Sequence, residues 1–304
     1  MKRSMPCVGS NFGPAAIATA LFLTGCVTGG SSVSELDVAA LSSPACQSPD
    51  NVTRVRGGDE CLVLKTAASK SNSESPVVVV FIHPNFCTAT VKRVESRIWY
   101  LHEVGLQFQE MASANGRDDV VIVSILRPGY GDSEGNRSTG NHGGPSRPFC
   151  DNNTEANVAA VAEALKTIKK HHTARGLIAF GHSDGGNYVG IILGKHPGII
   201  DAAVPAGAPV DLPRWQANWR AKSIWTQSLS AHDYVDGVPV KTLVIAVEGA
   251  NDKNVPPHIP GGWIKMLQER GVNARMDLFE GVNHRETPYQ SGTLKALFEA
   301  VSSI

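Results

Sequence analysis

The chain has 304 residues, 42% of them hydrophobic and 18% charged, which is enough apolar material for a large α/β domain and excludes a disordered segment. Lysine plus arginine and aspartate plus glutamate tie at 28 each, and without a basic run nucleic acid is excluded as the main partner. No apolar run reaches the roughly 18–20 residues of a spanning helix. Taken in chain order, Lys2 and Arg3 open a short positive segment, and residues 12–23 form a weakly apolar stretch too short to cross a bilayer. That order reads as an export signal over residues 1–25 rather than as part of a fold.

The signal ends in Leu23-Thr24-Gly25-Cys26, which resembles the bacterial lipobox of an aliphatic residue, a small pair and a cysteine. The resemblance implies cleavage before Cys26, lipidation of its thiol and anchorage in the cell envelope. Val27 is not aspartate, so in a Gram-negative organism sorting favours the periplasmic face of the outer membrane. The alternative is an ordinary signal peptide with a chance cysteine. Acyl chains anchor by about 0.8 kcal/mol per buried CH₂. Residues 26–51, rich in Ser, Gly, Ala and Pro, read as a flexible tether. In an oxidising compartment Cys46, Cys61, Cys87 and Cys150 allow three pairings. Cys46–Cys61 with Cys87–Cys150 is favoured over buried free thiols. No C-x-x-C or grouped His/Cys spacing points to a metal.

From residue 52 to 304 short apolar runs alternate with helical periodicity. A hairpin is expected over 52–67. The runs 77–82, 120–126, 177–180, 202–205 and 242–247 are continuous and rich in Val and Ile, as in strands buried on both faces. The clearest helix carries Val158, Val161, Ala162, Leu165 and Ile168 on one face. Asn152 and Glu155 stand at its start like a capping box, and Lys169 and Lys170 suit its C-terminal dipole. The pattern predicts an α/β fold: an open, mostly parallel sheet with helices on both faces. Ligands in such sheets bind beyond the carboxyl ends of the strands.

The sharpest motif is Gly181-His182-Ser183-Asp184-Gly185-Gly186, placed after the run 177–180 and before a helical stretch over 187–196. This is G-x-S-x-G in its strand–turn–helix context, where flanking glycines let the backbone close around an exposed serine. A serine hydroxyl needs a base, and the base needs an orienting acid. The run 243–247 leads to Asp252, and a strand at 276–279 leads to His284, so both emerge from carboxyl ends as Ser183 does. Asp211 is the second choice of acid. Glu248 lies too close to its own strand to reach far, and His182 reads as packing inside the turn.

With these residues the chain resembles serine hydrolases of the α/β-hydrolase superfamily over residues 52–304. His83-Pro84-Asn85-Phe86 is similar to the family's H-G-x oxyanion segment, departing from it at Pro84. Arg127-Pro128-Gly129-Tyr130-Gly131-Asp132-Ser133 is similar to its R-G-x-G-x-S turn. The resemblance implies an oxyanion hole from the backbone N–H groups of Asn85 and Asp184, with Phe86 as the alternative to Asn85. Such folds insert a cap between the sixth and seventh strands, here about 212–238. It holds Trp215, Trp219, Trp225 and Tyr234, which either line the acyl or alcohol pocket or pack on the sheet. The expected activity is carboxylic-ester hydrolysis through Ser183, His284 and Asp252 and an acyl-enzyme, with a small ester as partner and no cofactor. Two alternatives stay open. Gly186 also occurs in prolyl oligopeptidase-like peptidases, whose usual extra propeller this chain has no room for. The other is a non-catalytic envelope binding protein on a hydrolase fold.

Overall fold

The computed structural model describes residues 43–86, 97–141, 151–218 and 225–304. β1 (Arg54–Gly57) and β2 (Glu60–Ala67) form the antiparallel hairpin expected at 52–67. β3 (Val77–Ile82), β4 (Val120–Ile125), β5 (Gly176–His182), β6 (Ala202–Ala206), β7 (Leu243–Gly249) and β8 (Ala274–Phe279) run parallel. The strand order is β1-β2-β4-β3-β5-β6-β7-β8, with β2 antiparallel to β4.

Why the strands read as unbroken apolar runs is visible in β3, which is buried at every position. Its two faces meet two sets of helices. Val78, Val80 and Ile82 share a core with α3 (Glu155–His171), α4 (Asp184–Lys195) and α6 (His258–Glu269). Val77, Val79 and Phe81 share the other with α2 (Tyr100–Ala114) and α7 (Ser291–Ser302). Burying both faces removes any period-2 alternation.

The capping box is corrected. Thr154 is the N-cap of α3, and its hydroxyl accepts from the Asn157 N–H at 3.4 Å. Asn152 is instead fully buried, donating to the Pro128 and Asn141 carbonyls and accepting from the Tyr188 hydroxyl. An amide that can satisfy three interior partners is worth more there than at a helix end.

Residues 43–51, expected as the end of the tether, lie against β1 in the structure. A one-turn helix, α1 (Pro44–Gln47), carries Cys46, which is joined to Cys61 of β2 with Cα atoms 5.7 Å apart. Cys26, Cys87 and Cys150, with the pairing expected for the last two, lie outside the described residues, as does Trp219. Among the described residues no helix is long and apolar enough to cross a membrane. The cap segment between β6 and β7 includes α5 (Leu212–Asn218) and a 3₁₀ helix (Ala231–Gly237).

Candidate active site

Ser183 sits between the last residue of β5 and the first of α4 with φ 53° and ψ −125°, a strained conformation for a residue with a side chain. The neighbouring glycines explain how it is held. A Cβ on Gly181 would lie 2.2 Å from the Gly185 carbonyl oxygen, and one on Gly185 would lie 2.2 Å from that of Ile82. Only bare backbone permits so close a crossing of elbow and β3. The helix begins at Asp184, three residues before the expected start.

The structure brings Ser183, His284 and Asp252 together. Ser183 Oγ lies 3.0 Å from His284 Nε2, and His284 Nδ1 lies 2.6 Å from Asp252 Oδ2. A carboxylate accepts only, so Nδ1 carries the proton and Nε2 is left to receive the serine hydroxyl. The second Asp252 oxygen accepts from the Asn254 and Val255 N–H groups, each at 2.8 Å. Its side chain is fully buried while His284 keeps 14% exposure, so the base faces the solvent side and its orienter does not. Gly207 (φ +53°) lies beneath both, where a Cβ would stand 3.1 Å from His284 Nδ1. Asp211 serves another purpose, accepting from the Arg214 N–H at 3.1 Å as α5 starts.

Two histidines expected as structure or loop are buried and wired. His182 bonds the His284 carbonyl through Nε2 at 2.9 Å and the Tyr100 hydroxyl through Nδ1. Burial, then the neighbouring His284, hold it well below its ordinary pKa, and both its ring nitrogens are already engaged. His83 bonds the Pro84 carbonyl through Nδ1 at 2.7 Å and accepts from the Arg127 N–H through Nε2 at 3.1 Å. Burial and then the Arg127 charge lower its pKa as well.

Residues 83–86 follow β3 directly beside Ser183, since Gly185 packs on Ile82 and His83. Asp184, the first residue of α4, has an N–H with no intrahelical acceptor. Asn85, expected with Asp184 to supply the oxyanion donors, lies on this loop, its side-chain amide donating to Asp184 Oδ2 at 3.4 Å and accepting from the Tyr130 hydroxyl at 3.2 Å.

The three described aromatic residues of the cap segment separate. Trp215 and Trp225 are each 6% exposed and pack together, ring centroids 5.1 Å apart and planes tilted by 31°. The Trp215 indole donates to the Asn254 carbonyl at 2.8 Å, so this pair braces the loop that carries Asp252. Tyr234 is not brought to the site. It packs against Gly194 and Lys195 at the far end of α4, about 16 Å along the helix from Ser183 at 1.5 Å per residue. An aromatic group that the sequence does not single out stands nearer: Tyr100 contacts His182, Phe86 and Tyr289 at centroid distances of about 6 Å.

Glu248 and Arg127 are the other surprises. Glu248 is fully buried beside Asp252, accepting from the Ala208 N–H at 3.3 Å, and burial above all raises its pKa well above the carboxylate range. Arg127 is fully buried against Asp184 at 2.8 Å. Its only sequence signal is its place in the turn at 127–133, which marks the position but not the partner.

A mostly parallel eight-stranded sheet, helices on both faces and a serine on the turn after β5 define the α/β-hydrolase fold. The model of the prolyl oligopeptidase family matches residues 150–297, the stretch that contains Ser183, Asp252 and His284. A comparison with curated proteins finds no match. Among solved structures, the chain is similar to Est1E from Butyrivibrio proteoclasticus with bound ferulic acid, at 17% identity over 82% of this chain and 95% of that one, with a TM-score of 0.56. It is similar to the Pyrococcus furiosus esterase Pf2001 at 13% identity over 82% and 90%, with a TM-score of 0.58. It also resembles the acylaminoacyl peptidase of Pyrococcus horikoshii at 12% identity, over 82% of this chain but only 39% of that one, with a TM-score of 0.54. Together the family match and these neighbours support a serine hydrolase.

Proposed function

We propose that the chain cleaves carboxylic esters, with Ser183 as nucleophile, His284 as base and Asp252 as orienter. One observation carries the reading: Ser183 Oγ, His284 Nε2 and Nδ1, and Asp252 Oδ2 form a continuous line at 3.0 and 2.6 Å. Ser183 Oγ attacks the ester carbonyl as His284 Nε2 takes its proton, and Asp252 stabilises the imidazolium. The N–H groups of Asn85 and Asp184 meet the oxyanion. His284 then protonates the departing alcohol, and water, deprotonated by the same nitrogen, releases the acid from Ser183. The Tyr100 ring packs on His182, which packs on His284.

The family match favours a second reading, a prolyl oligopeptidase-like serine peptidase. Rates on matched ester and anilide substrates decide between them, and a preference for the anilide overturns the ester assignment. For the nucleophile, Ser183→Ala is expected to abolish fluorophosphonate labelling and to lower kcat about 10⁴–10⁶-fold with circular dichroism unchanged. Activity retained within tenfold would remove Ser183 from the reaction.

The lipobox supports the further proposal that the mature protein is held in the cell envelope through Cys26. Metabolic labelling with an alkyne fatty acid is expected to mark the wild type and not Cys26→Ser. Label on both proteins, or on neither, overturns the anchor.

A further inference from the structure

Arg127 has no exposed side-chain surface, and its guanidinium makes all its contacts inside the protein. Nη1 donates to Asp184 Oδ2 at 2.8 Å and to Asn153 Oδ1 at 3.3 Å. Nη2 donates to the Pro84 carbonyl at 3.1 Å and to the Tyr130 hydroxyl at 3.2 Å. The rings of Tyr188 and Tyr130 cover it at 4.8 and 5.1 Å. The other Asp184 oxygen accepts from Asn153 Nδ2 at 2.6 Å, and Tyr130 passes its proton toward Asn85 Oδ1 at 3.2 Å.

The Pro84 bond matters most. The peptide joining Pro84 to Asn85 is planar and trans, so its C=O and N–H point in opposite directions. Arg127 Nη2 and His83 Nδ1 both hold the Pro84 oxygen inward. The Asn85 N–H therefore points the opposite way, away from Arg127 and His83. The same guanidinium holds the side chain of Asp184, whose own N–H is the second donor. A cation taken wholly out of water is a poor source of stability, because desolvation offsets most of the attraction. Its geometry, two nitrogens forked between one carboxylate and one carbonyl, is what a lysine cannot reproduce.

We propose that Arg127 is the positioning residue of the oxyanion hole, orienting the Pro84–Asn85 peptide with one nitrogen and seating Asp184 with the other before substrate arrives. This rests on the hydrolase reading above. If the wild type neither labels with a fluorophosphonate nor turns over esters, that reading fails before any variant is compared.

The decisive variant is Arg127→Lys, which keeps a charge for Asp184 and loses the fork. It is expected to lower kcat about 10- to 100-fold with KM within about threefold, less than the 10²–10³-fold cost of deleting an oxyanion donor outright. A trifluoromethyl ketone with the acyl group of the best ester forms the oxyanion on Ser183, and its affinity is expected to fall by the same factor. The corresponding ether, which cannot form it, keeps its affinity. General loosening of the fold would weaken both. Arg127→Gln paired with Asp184→Asn removes the buried charges together while keeping both backbone donors, and is expected to show the same split. Tyr130→Phe deletes only the hydroxyl against Nη2 and Asn85, and is expected to lower kcat threefold to tenfold at unchanged KM. A kcat within twofold of wild type in Tyr130→Phe, or a rise in KM alone in any folded variant, overturns the proposal.

Discussion

The two sides of Ser183 are built by different means. On the base side, Asp252 is held by the N–H groups of Asn254 and Val255, two and three residues further along, and His284 follows β8 by a few residues. On the oxyanion side, His83, Arg127, Tyr130, Asn153 and Asp184 converge from four separate stretches of chain into one buried network. The base side is local: each loop shapes itself, and the sheet brings the loops together. The oxyanion side is held by side chains that meet only once β4, β3 and β5 lie side by side. Local turns tolerate repacking elsewhere, whereas losing one member of a buried polar network leaves its partners unsatisfied. The same chain thus carries one wall that a short motif specifies and another that long-range contacts specify.

The largest effect that could break this contrast falls on the base side. Asp252→Asn keeps an oxygen for the loop amides but cannot fix the imidazole tautomer, so kcat is expected to fall about 10⁴-fold. Asp211→Asn should leave kcat within about twofold, because Asp211 only receives an N–H at the start of α5. Steady-state kinetics on the same ester check both. A larger loss at Asp211 would assign the acid to the loop after β6.

A second test concerns Glu248, buried beside Asp252 on the base side. Burial first, and then the Asp252 charge, keep its carboxyl protonated well above the usual range in the folded chain. In the unfolded chain it ionises near its ordinary value. Above about pH 4.5 the folded state therefore binds one more proton than the unfolded state, and stability contributed by this group falls as pH rises. Glu248→Gln, similar in shape and never charged, escapes that loss. Its stability advantage over wild type is expected to grow with pH from about 5, by at most about 1.4 kcal/mol per pH unit, until the folded-state pKa is passed. Urea unfolding at several pH values measures it, and an advantage that does not change with pH refutes the neutral carboxyl.

The same division governs how much could be read from the sequence. β3 was legible to the residue, because Val77–Ile82 is an uninterrupted apolar run that only a doubly covered strand explains. Ser183, Asp252 and His284 were legible as neighbours, since each closely follows a strand and parallel strands end on one side. The start of α3 was not, because Asn152 fits a capping box equally well as a string of letters, and its use inside the protein depends on Pro128 and Tyr188. Nor was the Arg127–Asp184 pair, whose members lie 57 residues apart and look in sequence like any two surface charges. Tyr234 failed for a related reason. Its nearness to three tryptophans in the chain says nothing about which end of α4 it meets.

The smallest effect lies where the two walls are joined by the cap segment. Trp215 supports the acid loop through one indole hydrogen bond and the packing of Trp225. Trp215→Phe keeps an aromatic ring against Trp225 but loses the bond to the Asn254 carbonyl, so stability is expected to fall by about 1 kcal/mol, the net worth of a typical hydrogen bond. With Asn254 two residues from Asp252, a slight shift of the acid lowers kcat a few-fold for every ester alike. If the ring instead lines the acyl pocket, the loss appears in KM and grows with acyl length. Kinetics on an acyl-length series separates the two roles, and a length-dependent KM would make this pair part of the binding wall rather than a brace behind it.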